Sequence, residues 1–165
     1  MKYRRLTKEE LQELEREFVR FLASNSITAP EWEKLKIEEP EKADGLIDIF
    51  SDIVFEQTLK KVRYLELKMP KDLRTFYCLE HKIHMIGILI DGDSTLDFTQ
   101  NLSPEQMTAQ LQLSGAQLKL YQGEKTYQKD REQELFELMQ MGALISKDGG
   151  MYKTLMQLIQ GKGGE

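Results

Sequence analysis

The stretch FYCLEHKIHMIGILIDGD, residues 76–93, holds the chain's only cysteine, both of its histidines and two closely spaced aspartates. Cys78, His81 and His84 are spaced as C-x-x-H-x-x-H, and a thiolate with two imidazoles is a sensible donor set for zinc or copper. Asp91, Asp93 and Asp97 place carboxylate oxygens at spacings close to those of a calcium loop. With His84, Asp91 and Asp93 could also serve a small metal-assisted hydrolase, in which the ion activates water and the acids hold the ion.

The same residues have plainer readings. Structural zinc sites take four protein ligands, and the sequence has no second cysteine or third histidine to complete one. The glycine after Asp91 is misplaced for an EF-hand, and no glutamate stands at the twelfth position. Asp-Gly and Asp-Ser after an apolar strand are turn formers. If residues 73–80 and 83–90 pair about His81-Lys82, Cys78 faces Met85 and His84 faces Leu79, which puts Cys78 and His84 on opposite sides of the sheet. A register moved by one residue pairs Cys78 with His84 directly and brings them together. A thiol in mid-strand between Tyr77 and Leu79 predicts an inert core residue rather than a nucleophile. The expectation is therefore no cofactor and no catalytic residue, with Cys78, His81, His84, Asp91 and Asp93 as the metal-ligand candidates. No Walker loop, dinucleotide fingerprint, G-x-S-x-G elbow or H-E-x-x-H occurs.

The elements that would position these residues follow from periodicity and capping. Thr7 with Glu10, Thr28 with Glu31 and Ser103 with Gln106 are capping boxes, so helices are predicted from Thr7 to about Ser24, through Trp32 and Leu35, and after Pro104. Apolar positions from Ala43 to Leu59 predict a long helix from Pro40. VRYLELKM and LRTFYCLE, separated by Pro70-Lys71-Asp72, read as a hairpin, and Ile83 to Ile90 is apolar at both parities, which predicts a strand buried on both faces. LKLYQGEKTY, residues 118–127, reads equally as a short hairpin about Gly123 or an extended loop. Asp130 opens a helix over Leu135 to Met139 that ends at Gly142, and a last helix runs over 150–160 before a tail at 161–165 with nothing to pack. Helices, then antiparallel strands, then helices indicate an α+β fold: N-terminal helices, a central antiparallel sheet of about three strands, and C-terminal helices packed on it, in a single domain spanning 1–165.

Lys and Arg total 23 against 28 Asp and Glu, a net charge of −5. That balance argues against a protein whose main task is holding a phosphate backbone. Seven basic residues do fall between Lys60 and Lys82, which leaves weak nucleic-acid binding through that hairpin as a third reading. They alternate with apolar residues, as the wet side of a sheet does. One cysteine allows no internal disulfide, the N-terminus has no apolar stretch behind its basic residues, and no run is long enough to span a bilayer; the expectation is a cytoplasmic protein without a membrane partner.

The opening KYRRLTKEEL, the Phe50-Ser51-Asp52 stretch, Lys61-Val62-Arg63-Tyr64-Leu65-Glu66, and the late Asp130-Arg131-Glu132 and Ala143-Leu144-Ile145-Ser146 resemble an uncharacterised family of small bacterial proteins, a domain of unknown function. The resemblance spans nearly the whole chain. It implies a compact cytosolic protein and supplies no activity, cofactor or catalytic residue. The expected function is a non-catalytic binding or protein-interaction domain whose partner is another protein. Its contact surface would be the basic hairpin or an edge strand at Val62–Met69.

Overall fold

A computed structural model describes residues 1–92, 94–115 and 117–163, apart from the side chains of Ser114 and Lys162. Asp93 and the last two residues of the expected tail lie outside the described residues. The chain divides into two compact units, Met1–Lys60 and Lys61–Glu165. The described residues are α+β, with seven helices and one five-stranded antiparallel sheet.

The first unit contains α1 (Lys8–Glu13), α2 (Glu15–Ser24), α3 (Ala29–Glu38) and α4, which runs Pro40–Lys61 across the division. Thr7 and Thr28 each close a capping box, with Glu10 and Glu31. The single helix expected after Thr7 is broken at Leu14, whose backbone leaves the helical region at φ −102° and ψ 21°. Phe18 and Leu22 of α2, Trp32 of α3 and Phe50 of α4 bury their side chains together with Leu6 and Ala43. Trp32 meets the Phe18 ring edge-on at 5.1 Å.

The segment before α1 is fastened along α4. Asp44, Asp48, Asp52 and Glu56 recur every fourth residue and so share one stripe of that helix. The backbone N–H groups of Lys2 and Tyr3 donate to the two Asp52 oxygens at 2.8 and 3.0 Å. Arg5 Nε donates to Asp48 at 2.6 Å, Lys2 Nζ to Glu56 at 2.9 Å, and the Tyr3 hydroxyl also donates to Glu56. Beneath them Leu6 N–H reaches the buried Ser51 hydroxyl at 3.0 Å.

The second unit is built on β1 (Tyr64–Met69), β2 (Asp72–Cys78), β3 (Lys82–Asp91), β4 (Gln117–Thr126) and β5 (Leu144–Ser146), in the order β4-β3-β2-β1-β5. Five described strands replace the three expected. Residues 118–127, read as a hairpin or a loop, form neither: Gln117–Thr126 is one strand paired with β3 over its whole length. β5 pairs with Tyr64, Leu65 and Glu66, so β1 is not the edge that Val62–Met69 was expected to provide; the edges are β4 and β5.

Register assigns the faces. Leu73, Thr75 and Tyr77 of β2 pair with Ile88, Ile86 and His84 of β3 and point to a first face. There Ile86, Ile88 and Ile90 form a core with Met107 and Leu111 of α5 (Pro104–Ser114) and Met151, Tyr152 and Leu155 of α7 (Gly150–Gly163). α7 thus carries the chain three residues into the expected tail. The second face holds Leu65 and Leu67, Arg74, Phe76 and Cys78, and Ile83, Met85 and Leu89. It meets α6 (Arg131–Gln140), through Leu138 beside Phe76 and Ile83. Two helices cover the first face and one the second, so β3 is not buried on both sides as its composition predicts. Ile83 is buried, Met85 half-buried and Leu89 exposed.

Candidate functional site

Cys78 pairs with Ile83 and Tyr77 with His84. This register differs by two residues from the expected Cys78–Met85 pairing, and a two-residue slip preserves sides. Cys78 therefore points to the second face and His84 to the first. The one-residue shift that would have joined them does not occur. His81, in the turn, is exposed and lies 3.8 Å from the equally exposed Glu80. Asp91 is exposed at the far end of β3, seven residues and roughly 23 Å along the strand from His84 and of opposite parity. Among the described residues, Cys78, His81, His84 and Asp91 contribute to no group of three converging ligand atoms. Asp97 accepts from the Thr99 N–H at 2.8 Å and from its hydroxyl at 2.5 Å, which closes a turn and lowers the carboxyl below its ordinary range.

Cys78 and His84 are engaged by their surroundings. Burial at 1% exposure pushes the Cys78 thiol up to about 12, with only partial relief from the Arg131 charge, so the group is a neutral thiol at neutral pH. His84 Nδ1 lies 2.6 Å from the Tyr152 hydroxyl and Nε2 lies 3.2 Å from Gln122 Oε1. The network assigns Nε2–H as donor to Gln122 and Tyr152 as donor to Nδ1, which leaves neither nitrogen for an ion. Arg131, absent from the candidate set, makes several bonds to the backbone here. Its guanidinium donates to the carbonyls of Val62 at 2.5 Å, Leu79 at 2.9 Å and Cys78 at 3.1 Å, tying the ends of β1 and β2 to the start of α6.

The basic hairpin is likewise paired. Lys68 lies 3.7 Å from Glu66, Arg74 Nε 3.1 Å from Asp72, and Lys82 3.4 Å from Glu124. Lys71 donates to the carbonyls of Ser94 and Leu96 at 2.6 and 2.7 Å, holding the loop after β3.

The feature that individual motifs did not indicate is a groove of about 400 Å³ on the second face, between α6 and the sheet. Leu67, Phe76, Ile83 and Met85 form its floor, with Leu138 and Met141 of α6 as one wall. Its shape follows from one row across three strands, in which Phe76 pairs with Met85 and Met85 with Gly123. Side-chain volume falls from Phe to Met to none, so the floor drops toward the β4 edge. In the next row Gly87 lets the Tyr121 ring lie flat on the backbone and donate its hydroxyl to Asp72; a β-carbon at position 87 would fall 2.1 Å from that ring. The sequence did carry a signal for the groove in the double-parity run of β3, which supplied more apolar residues than one covered face can use.

Charged residues line the rim in pairs. Glu134, 8% exposed, accepts from Lys125 Nζ at 2.9 Å and from the Lys129 N–H at 3.3 Å. Lys129 Nζ donates to Glu137 at 2.6 Å. The Tyr127 hydroxyl is spent on the Leu79 carbonyl at 3.0 Å, and burial raises it to about 12.

A family model described as "Family of unknown function (DUF6495)" matches residues 1–160. No curated protein and no solved structure matches the chain.

Proposed function

The chain belongs to this family of unknown function, and we propose that it acts as a non-catalytic binding protein whose contact site is the groove on the second face of the sheet. The observation that carries this reading is apolar surface left uncovered above a buried floor of Phe76 and Ile83: Met85 and Leu138 are half-buried in a concave site, and Met141 is 67% exposed. Exposed apolar concavities on otherwise charged surfaces mark binding sites. The placement of the candidate residues supports the same reading, since Cys78, His84 and Asp91 are separated by the sheet or by the length of a strand. The hydrolase reading needs His84 and Asp91 on one ion, which their positions do not favour. The nucleic-acid reading needs free cations, and Lys68, Arg74 and Lys82 each face a carboxylate. No described helix is long and apolar enough to cross a membrane.

The methionines supply a direct test. With methyl-labelled Met, small organic probes such as phenol and isopropanol should shift the Met85 and Met141 resonances at the lowest concentrations, before those of Met107 and Met151 in the core. Uniform shifts, or shifts centred on residues near His84 or Asp91, would remove the groove as the site.

A further inference from the structure

Resting on that reading, the geometry points to the class of ligand: we propose that the groove takes an uncharged apolar small molecule and discriminates against its charged counterpart. The first argument is size. About 400 Å³ falls at the lower end of the roughly 300–1,000 Å³ of small-molecule sites. The second argument concerns backbone. β4 is an edge of the sheet, but the floor of the groove lies on the face of β2 and β3, whose N–H and C=O groups are spent on their neighbours. An extended peptide laid there would bury its own polar backbone without partners, at roughly 1–3 kcal/mol for each group.

The third argument is charge. Four cations around the groove each meet a carboxylate: Lys125 with Glu134, Lys129 with Glu137, Lys82 with Glu124 and Arg74 with Asp72. An anionic ligand would have to take a cation from one of these acids. Taking Lys125 would leave Glu134, almost wholly buried, with only the Lys129 N–H. A cationic ligand meets the same obstacle with the signs reversed. Apolar contact with the adaptable Met85 and Met141 is what remains for recognition. Entry is from the β4 side over Gly123, where the nearest heavy atom to an added β-carbon is the Met85 methyl at 4.0 Å.

Two dyes on one anilinonaphthalene skeleton, neutral N-phenyl-1-naphthylamine and its anionic sulfonate, test the proposal on the full chain. The neutral dye should bind one per chain at least tenfold more tightly than the sulfonate, and decanol should displace it while decanoate does not. Gly123→Phe, whose β-carbon meets nothing nearer than the Met85 methyl at 4.0 Å, should weaken the neutral dye at least tenfold. Met141→Glu, a change at a residue 67% exposed at the mouth, should do the same if the first variant proves unstable. Equal or tighter binding of the sulfonate overturns the ligand class and leaves the binding reading standing. Binding of neither dye nor decanol overturns both, as does a neutral dye that neither variant affects.

Discussion

Two residues on paired antiparallel strands share a face only if they are an even number of positions out of direct opposition, so the separation of Cys78 from His84 depends on parity. The expected pairing of Cys78 with Met85 and the observed pairing with Ile83 differ by two and give the same answer. β3 is apolar at both parities, so the sequence left that parity open along with the slip, which Leu79 N–H bonding to the Lys82 carbonyl sets in the turn. A thiol whose burial lifts it to about 12 should be silent toward an aromatic disulfide reagent at pH 8 in the native state and react fully in denaturant. Rapid labelling of native protein would remove the inert-core assignment. At Gly87 the prediction is steric: Gly87→Ala drives the Tyr121 ring off the backbone and from Asp72, at a cost of about 1–3 kcal/mol in chemical denaturation. A variant as stable as the parent would show that the ring moves aside freely.

Among the elements, those with local signals were legible. Capping boxes at Thr7, Thr28 and Ser103 announce helices because both partners lie within four residues. β4 and β5 were not legible as strands: β4 is an edge strand with a glycine and exposed polar residues, and β5 is three residues whose Leu144 and Ile145 remain exposed. Their pairing is long-range, so no local pattern records it. The fastening of residues 2–6 to α4 was half legible, in the acids at every fourth position. It carries a pH dependence. The Arg4 guanidinium, with the Thr7 backbone, holds Glu10 down to about 2, and Arg5 holds Asp48 below its usual range. Because these folded values lie below the unfolded values of roughly 4, the stabilisation is complete above that pH and is lost as pH falls through the folded values. Fluorescence of Trp32, the chain's only tryptophan, should therefore report a loosening of the first unit between about pH 4 and pH 2. Arg4→Gln should move that midpoint upward, and added salt should shrink the difference between parent and variant. Identical acid profiles in parent and variant would refute the charge contribution.

For the whole molecule the question is whether the two units melt as one, as a single domain spanning 1–165 would. The first unit is a sixty-residue segment, a size at which an isolated fold is marginal. Its longest helix, α4, ends at Lys61, and only Val62 and Arg63 separate it from β1. The Val62 carbonyl in that link is gripped by Arg131 of α6. The Val62–Arg131 grip lies within the second unit, and the element that the division cuts is α4, which ends one residue past it. We therefore expect Trp32 fluorescence and Cys78 thiol exposure to follow a single transition in urea, although one probe lies in each unit. Arg131→Ala sharpens the test, because it removes the donor to three carbonyls, at Val62, Cys78 and Leu79, and should cost about 2–4 kcal/mol. If the units are coupled, both midpoints fall together. If only the Cys78 midpoint falls while Trp32 keeps its own, the units fold independently, and the continuity of α4 transmits no stability across the division.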